Sequence, residues 1–349
     1  MHLKINKLNS KLKCLLIAEA GVNHNGSMKI AEKLIIEAKK NGADIIKFQT
    51  YKAEKLVTRK AARFWKWDGE INKKGSQFDS YKRLDKFNFK EYQKLSNLCK
   101  KYKIEFMSTP FDLDAVKILQ KLKVSAFKIA SCDITNFQLL RAVAKTKKTV
   151  LLSTGASNLN EIKNAYKFLI KNGAKKICIM HCTLCYPTIP DDANLSALLD
   201  IKKSFPNIPL GLSDHTIGTN IASASILYDV QIIEKHFTIN KKLKKSADHK
   251  ISLNGKELKE LRVKVDEIKK SIGFRKKKVL KCENLTRKFA RRSIFISRNM
   301  KKGQLIKNKD LIAKRPASGI SANKIDLFLN KRINKNLKID HQISIKDIS

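Results

Sequence analysis

The sequence predicts an α/β fold in which a (β/α)8 TIM barrel is followed by a small β-rich domain. Eight short apolar runs recur between residues 14 and 238, each run ends in polar residues, and a helical pattern follows each. Eight repeated strand–helix units close into a parallel barrel, with reactive side chains at the carboxyl ends of the strands. The 349 residues leave room for a barrel of about 250 residues and one further small domain.

Each predicted strand is one apolar run, and each predicted helix has one apolar face. After the first run, Met28 to Asn41 places Ile30, Leu34, Ile35 and Ala38 on one face, and Gly42 stops the helix. After the eighth run, residues 256–271 repeat the pattern with Leu258, Leu261, Val265 and Ile268. The eight runs are 14–21, 44–50, 104–111, 126–133, 149–155, 177–183, 210–216 and 232–238.

Three further segments complete the predicted organisation. An insertion at about 53–87 carries WKWDGE and GSQFDSY, and its aromatic residues and glycines indicate an ordered flap near the site. We expect a catalytic barrel domain over 1–273 and a charged linker without helical periodicity over 274–287. Residues 288–349, with short alternating runs and glycine turns, are expected to form the small β-rich domain.

The apolar runs and the cysteines indicate the cellular compartment of the protein. The run after the basic start is short and is interrupted by Glu19, so we interpret it as a buried strand rather than a signal peptide. No run approaches the roughly 20 apolar residues of a membrane span. Seven scattered cysteines, with Cys182 and Cys185 as a lone CxxC pair, are typical of reduced thiols. We therefore expect a cytoplasmic protein without a membrane partner.

The formal net charge of +43 raises the question of nucleic-acid binding. Only 12 of the 74 basic residues are arginines, whereas arginine is the preferred reader of bases. The lysines are spread evenly along the chain. We therefore expect no nucleic-acid partner, although the positive field should attract anionic substrates.

Polar residues capable of chemistry lie in or directly after the strand ends. A single such residue is often a satisfied core group, but so many at one rim are difficult to explain by packing. The sequence therefore predicts a functional site there. The set is Glu19, Lys47, Thr109, Lys128, Ser131, Ser153, His181, Ser213, His215, Glu234 and His236.

The motifs at these strand ends resemble the N-acetylneuraminate (sialic acid) synthase family. IAEAGVNHNG, IIKFQTYKAEKL, MSTPFD, FKIAS, LLSTG, HCTLCYPT, GLSDHTIG and IEKHFT occur in order, and KKGQLI and KRPASG resemble the family's C-terminal antifreeze-like (β-clip, SAF) domain. The resemblance covers about 14–348. It implies an enzyme of carbohydrate biosynthesis, for example of a cell-surface polysaccharide, that condenses phosphoenolpyruvate with an amino sugar.

The resemblance implies a metal at two histidines. His215 and His236 end neighbouring strands, and two imidazoles on one rim suit a divalent ion with open positions. The family uses the matching positions for a metal, typically Mn2+, with Mg2+ or Co2+ as alternatives. Glu234 points to the same face as His236. It either orients the site or forms an internal salt bridge with a lysine.

The resemblance also implies where phosphoenolpyruvate binds. Lys47 and Lys128 match positions that surround its phosphate and carboxylate, and Glu19 matches an essential carboxylate that contacts the sugar C1 oxygen or the attacking water. Glu19, Lys47, Lys128 and Glu234 are therefore the catalytic candidates. The matching hydroxyls are those of Thr109, Ser131, Ser153 and Ser213.

Three residues match the family's acceptor-sugar positions: Tyr186, Asp248 and Arg315. Arg315 lies in the C-terminal domain, which in this family is swapped onto the partner's barrel. The resemblance therefore implies a domain-swapped homodimer in which Arg315 binds the acetamido group of the sugar in the partner.

The acceptor sugar is the least determined part of this interpretation. Leu184 stands where many members have an asparagine, SADH (246–249) replaces the usual GPDH, and KRPASG replaces KRPGNG. We expect N-acetylmannosamine as the acceptor and N-acetylneuraminate as the product. The alternative is the same chemistry on a 2,4-diacetamido-2,4,6-trideoxy-hexose, giving legionaminic or, less in keeping with IAEAG and KFQ, pseudaminic acid.

Overall fold

An eight-stranded parallel sheet curls into a nearly closed barrel in the first of two compact units, Met1–Gly273. The computed structural model describes residues 2–65, 75–274 and 276–349. The strands of the barrel are β3 (Leu15–Gly21), β4 (Ile45–Thr50), β5 (Glu105–Pro110), β6 (Ala126–Ile129), β7 (Thr149–Ser153), β8 (Lys176–Cys182), β9 (Leu210–Asp214) and β10 (Val230–His236). Their hydrogen-bonded order is β5-β4-β3-β10-β9-β8-β7-β6, and β5 lies beside β6. The predicted TIM-like barrel is thus confirmed.

Helices follow the strands and cover the outside of the barrel. Helix α1 begins after Ser27, whose hydroxyl accepts from the Ile30 amide at 3.4 Å, and it buries Leu34 and Ile35 against the strands. Two residues after the end of α1, Gly42 has a φ of +93°, a left-handed conformation that favours glycine. The barrel helices are α1 (Met28–Lys40), α2 (Ala53–Leu56), α3 (Gln77–Leu84), α4 (Phe89–Lys101), α5 (Leu113–Lys121), α6 (Phe137–Lys145), α7 (Leu159–Lys171), α8 (Ala197–Ser204), α9 (Asn220–Ala224) and α10 (Gly255–Ser271).

A hairpin at the amino terminus closes the floor of the barrel. Strands β1 (Lys4–Ile5) and β2 (Leu8–Asn9) pair antiparallel, and Leu3 and Ile5 pack against the inward apolar residues of the strands. The Leu3 amide and the Ser10 hydroxyl both donate to Gln231 Oε1, at 2.9 and 2.6 Å. The lower end of the barrel interior is therefore filled by apolar side chains.

The described part of the insertion packs on the upper rim. A capping box between Ser76 and Asp79 starts α3, whose Leu84 is buried with Val22 and Tyr51. Val22 and Tyr51 directly follow β3 and β4, so this apolar cluster lies at the site end of the barrel. The GSQFDSY segment thus lies largely in a helix, whereas WKWDGE, apart from its first residue, lies outside the described residues.

The second compact unit, Phe274–Ser349, has its own apolar core. Strands β11 (Ser293–Ile296) and β12 (Leu311–Lys314) pair antiparallel, and Ile294 and Phe328 are fully buried. Isolated antiparallel bridges such as Met300 to Leu337 extend the β structure. The predicted small β-rich fold is confirmed.

The segment expected to be a charged linker, 274–287, contains the beginning of a short helix. Helix α11 spans Asn284–Ala290, and directly before it the Leu280 amide donates to Glu283 Oε2 at 2.7 Å. The apolar residues of this helix, Leu285 and Phe289, are exposed. Because α11 has no buried apolar face, apolar periodicity in the sequence does not indicate it.

None of the helices over the described residues is both long enough and apolar enough to cross a membrane.

Candidate active site

Alternation along the parallel strands brings polar side chains together above the apolar floor. Residues two apart on a strand share a face, so Glu19 lies above Ile17, and Glu234 lies above the buried Ile232. The register places Glu19 opposite Lys47 and Glu234 opposite Ser213 on neighbouring strands. The upper interior of the barrel is therefore a ring of charged and hydroxyl groups.

Two lysines and two carboxylates form the centre of this ring. Lys47 Nζ lies 2.7 Å from Glu19 Oε2 and 2.7 Å from Thr109 Oγ1. Lys128 Nζ lies 2.8 Å from Glu234 Oε1, and a distance of 3.8 Å joins Lys47 Nζ to Glu234 Oε2. All four charged side chains are nearly inaccessible to solvent. The salt-bridge alternative for Glu234 is thus present in the structure, and the bridge belongs to the site.

The surroundings of the two carboxyl groups shift their pKa values in opposite directions. Burial raises the pKa of Glu19, and the nearby Glu234 adds to this, although Lys47 opposes it. Burial acts on Glu234 too, but Lys128 and Lys47 outweigh it and lower the pKa of that carboxyl. Two carboxyl groups with divergent pKa values beside two ammonium groups suit a division into a proton donor and a fixed anion.

Hydroxyl groups from four strands face the same space. Ser213 Oγ donates to Glu234 Oε1 at 2.8 Å and lies 3.2 Å from Lys128 Nζ. Ser131 Oγ accepts from the Gly155 amide at 2.9 Å. Ser153 Oγ is buried without a hydrogen-bond partner among the described residues. Because a buried polar atom is normally satisfied, Ser153 is positioned to bind a ligand oxygen.

His215 and His236 lie together at the top of neighbouring strands, with ring centroids 5.5 Å apart. The His215 Nδ1 atom lies 2.9 Å from the Thr183 carbonyl oxygen, so Nδ1 carries the proton and Nε2 is free to bind. His236 Nδ1 is buried and has no hydrogen-bond partner within the described chain. Burial lowers the pKa of His215 to about 4 and that of His236 well below its usual value.

These features fit a divalent metal. Burial favours the neutral form of both imidazoles, each has a ring nitrogen that no hydrogen bond among the described residues occupies, and Asp248 Oδ2 lies 3.6 Å from His236 Nδ1. Over the described residues, no cluster of three His, Cys, Asp or Glu side chains is arranged as a complete ligand set. Two protein ligands leave the remaining positions to water or substrate oxygens, as an open catalytic site requires.

The predicted acceptor residues are only partly brought together. The Tyr186 ring lies 4.1 Å from that of His215, between centroids, and is half exposed. Asp248 enters from the loop after β10, and burial raises its pKa to about 6. Arg315 directly follows β12 in the C-terminal unit, where its side chain is exposed. Arg315 thus belongs to the second compact unit and not to the barrel unit.

The structure changes the predicted set at two positions. His181 belongs to the outer face of β8, where its Nε2 lies 2.9 Å from the Ala193 carbonyl oxygen, so it leaves the set. Gln49 joins it, because Gln49 Nε2 donates to Glu19 Oε1 at 3.2 Å. Gln49 lies two residues after Lys47 on β4, so strand alternation was a signal that could have found it.

Comparison with known proteins gives consistent matches over most of the chain. A model described as the NeuB family matches residues 34–277, and one described as the SAF domain matches residues 291–349. These matches confirm the resemblance seen in the motifs and the nature of the C-terminal domain.

Three of the similar proteins illustrate the range of named activities. The N,N'-diacetyllegionaminic acid synthase of Campylobacter jejuni is 40% identical over 333 residues, which cover 95% of this chain and 99% of that protein. The protein of the same name from Legionella pneumophila is 34% identical, with 96% and 95% covered. A crystal structure of N-acetylneuraminic acid (sialic acid) synthetase from Leptospira borgpetersenii superposes with a TM-score of 0.72 at 32% identity, and it covers 82% of this chain and 95% of that one.

Proposed function

This chain belongs to the NeuB family, and we propose that it condenses phosphoenolpyruvate with the open-chain form of a 2,4-diacetamido-2,4,6-trideoxy-hexose to give a legionaminic-acid-type sugar and phosphate. The observation that carries the reaction class is the buried ring of Lys47, Lys128, Glu19 and Glu234 beneath two neutral imidazoles. The names of the relatives at 40% and 34% identity support the diacetamido acceptor over N-acetylmannosamine, which motif resemblance alone favours.

Phosphoenolpyruvate suits the cationic half of the ring. Its phosphate and carboxylate carry up to three negative charges, and Lys47 and Lys128 provide two ammonium groups in a water-poor space. The hydroxyl of Ser153, which has no hydrogen-bond partner in the described part of the chain, acts with Ser131, Ser213 and Thr109 to supply donors to oxygens that the lysines do not reach. The carboxylate of Glu234 holds the two ammonium groups in place before the substrate arrives.

The acceptor suits the opposite side, beside the imidazoles. His215 and His236 would hold a divalent cation, Mn2+ in the first instance, and such a cation polarises a bound aldehyde as a Lewis acid. Asp248 and Tyr186 lie against these rings and are placed to contact hydroxyl or acetamido groups of the sugar. Gln49 fixes the orientation of the Glu19 carboxyl.

The proposed chemistry balances with one water. C3 of phosphoenolpyruvate attacks the aldehyde carbon of the sugar, and the aldehyde oxygen takes up a proton from Glu19, whose raised pKa favours the protonated form. Water adds at C2, where positive charge develops, and returns a proton to Glu19. The C–O bond between C2 and the phosphate oxygen then breaks, the C2 hydroxyl passes its proton to the leaving phosphate, and the 2-keto acid remains.

Phosphate release tests this proposal. Wild-type protein with Mn2+ and phosphoenolpyruvate is supplied with the diacetamido sugar or with N-acetylmannosamine. We expect release with the diacetamido sugar at a kcat/KM at least tenfold higher, and none with a chelator or in His236→Ala. A preference for N-acetylmannosamine would instead support the sialic acid synthase reaction, for which the 32% identical Leptospira protein is named. No release with either sugar would contradict the reaction class.

We further propose that the active form is a homodimer in which Arg315 serves the partner's barrel. Arg315 is exposed in its own unit, and a guanidinium suits the carbonyl of an acetamido group. Mixing Glu19→Gln with Arg315→Ala, after subunit exchange, tests this directly. A swapped dimer regains about a quarter of wild-type turnover, because half of the dimers are mixed and each has one complete site. Absence of any regain, or a fully active monomer by light scattering, would contradict it.

A further inference from the structure

A second charged pair is buried on the other face of the two histidine-bearing strands. Asp214 precedes His215 and Lys235 precedes His236, and the sheet register places these two residues directly opposite each other. Lys235 Nζ lies 3.0 Å from Asp214 Oδ2, and the two side chains are at most 5% exposed. Because side chains alternate along a strand, this pair faces away from the polar ring and cannot contact substrate there.

The pair also fixes the residue that follows His215. Asp214 Oδ1 accepts from the Thr216 amide at 2.9 Å, and Asp214 Oδ2 accepts from the Thr216 hydroxyl at 3.0 Å. Lys235 Nζ donates a short hydrogen bond to the Thr216 carbonyl oxygen. The Thr188 amide donates to the His215 carbonyl oxygen at 3.1 Å. The backbone on both sides of His215 is therefore tied to the strand that carries His236.

Stability alone is a weak reason for such an arrangement. Desolvation of two charges offsets most of their attraction, and apolar pairs of similar volume are often as stable. The ammonium group of Lys235, however, binds both the Asp214 carboxylate and the Thr216 carbonyl oxygen, and so it sets the position of one strand end relative to the other. Because these strand ends carry His215 and His236, the contact also sets the distance between the two imidazoles.

We propose that Asp214 and Lys235 are positioning residues that hold His215 and His236 at the spacing required to bind a divalent cation. This inference rests on the proposed metal site at the two histidines. Residues that orient metal ligands from behind typically contribute a factor of about 10 to 100 in metal affinity. Loss of the pair should therefore weaken cation binding while the ligands themselves remain.

The test is Mn2+ binding to chelator-treated, dialysed full-length protein, followed by the free-ion EPR signal. The double variant Asp214→Asn/Lys235→Met removes both charges and avoids leaving one buried alone. We expect its Kd for Mn2+ to rise about 10- to 100-fold. At saturating Mn2+, the turnover of the double variant should recover to within about threefold of wild type. If the variant were merely unfolded, added Mn2+ would not restore its turnover.

A matched control separates positioning from general destabilisation. Arg298→Met/Asp310→Asn removes another ion pair with a fully buried aspartate, which lies in the C-terminal unit. We expect it to lower thermal stability without changing the Kd for Mn2+. If the barrel variant does not fold, Thr216→Val keeps both charges and removes one hydrogen bond to Asp214, with an expected Kd increase of at least threefold.

The outcomes distinguish this inference from the proposed metal site. If the wild type does not bind Mn2+, or His236→Ala binds it equally well, the metal site is wrong. If His236→Ala abolishes binding but the folded double variant keeps the wild-type Kd within twofold, the positioning role of Asp214 and Lys235 is wrong. An unchanged Kd in folded Thr216→Val contradicts the role in the same way.

Discussion

At the scale of single residues, two properties of parallel strands bring the charged groups of the site together: the alternation of side chains along each strand and the register between neighbouring strands. Alternation along β10 places Glu234 and His236 on one face, as expected from the sequence. The pairing of Lys47 with Glu19 depends on the register between β3 and β4, which no single strand encodes. Lys235 is not among the residues that the sequence analysis predicts for the site. A lysine is normally exposed to solvent, whereas Lys235 is buried.

Glu234→Gln tests the anion at the centre of the ring. The amide has the same size but no charge, so Lys47 and Lys128 lose their common counter-ion. We expect kcat/KM for phosphoenolpyruvate to fall by roughly 100-fold, within the range of single catalytic groups. Phosphate-release kinetics measure this, with circular dichroism to establish that the variant is folded. A change smaller than threefold would contradict a role in the site.

His24 gives a prediction about pH and stability. Its ring stacks on Phe87 with centroids 4.1 Å apart, and its Nδ1 accepts from the Gly26 amide at 3.0 Å, so the folded state holds it neutral. Burial lowers its pKa to about 3. Between that value and about 6.5 the unfolded chain binds a proton that the folded chain does not, so stability falls as the pH falls.

The measurement is urea unfolding of wild type and His24→Phe at pH 7 and pH 5. For the wild type, His24 should contribute a loss of about 2 kcal/mol in the free energy of unfolding between these values. The phenylalanine keeps the stack and removes the titration, so that part of the loss should disappear. His2→Phe, at an exposed position, should keep the full pH dependence. Equal losses in wild type and His24→Phe would refute the assignment.

At the scale of elements, the sequence predicts the strands of the barrel well but does not predict the hairpin β1–β2. The eight apolar runs agree with β3 to β10 to within a few residues, because a buried parallel strand is a continuous apolar run. The hairpin β1–β2 has only two residues in each strand, too few to form a period. Its place in the floor depends on Gln231, a contact that sequence proximity could not indicate.

Ile5→Ala tests the role of the hairpin. Ile5 is 1% exposed among the inward apolar residues of the barrel, so truncation leaves a cavity in the floor. We expect a loss of about 2 to 4 kcal/mol in the free energy of unfolding, read from urea denaturation. Leu12→Ala, at a side chain 81% exposed, should change it by less than about 0.5 kcal/mol. Similar effects of the two substitutions would mean that the hairpin does not close the core.

At the scale of the whole molecule, composition and motif order were informative in different ways. The order of the motifs predicted the family and the C-terminal SAF domain, which the family models confirm. The acceptor sugar was the weakest expectation, because it depends on a few contacts at the rim rather than on the pattern of strands. The +43 charge identifies no partner, but it does shape how an anion approaches.

The charge leads to a prediction about ionic strength. Phosphoenolpyruvate is a trianion at most, and the screening length falls from about 10 Å at 0.1 M salt to about 3 Å at 1 M. We expect its KM to rise several-fold between 0.05 and 0.5 M KCl, with kcat changed less than twofold. The KM of the uncharged acceptor sugar, measured in the same assays, should stay constant. A parallel rise for both substrates would point to a salt effect on folding or metal binding instead.

The floor of the barrel has a consequence for synthesis of the chain. Leu3 and its partner Gln231 are 228 positions apart, and Gln231 belongs to the last barrel strand. At roughly 5 to 20 residues per second, a ribosome needs about 10 to 50 s to make the partner after Leu3 itself. During that interval Leu3 and Ile5 can pack only on the strands already made, so the base of the nascent barrel cannot close until β10 leaves the exit tunnel.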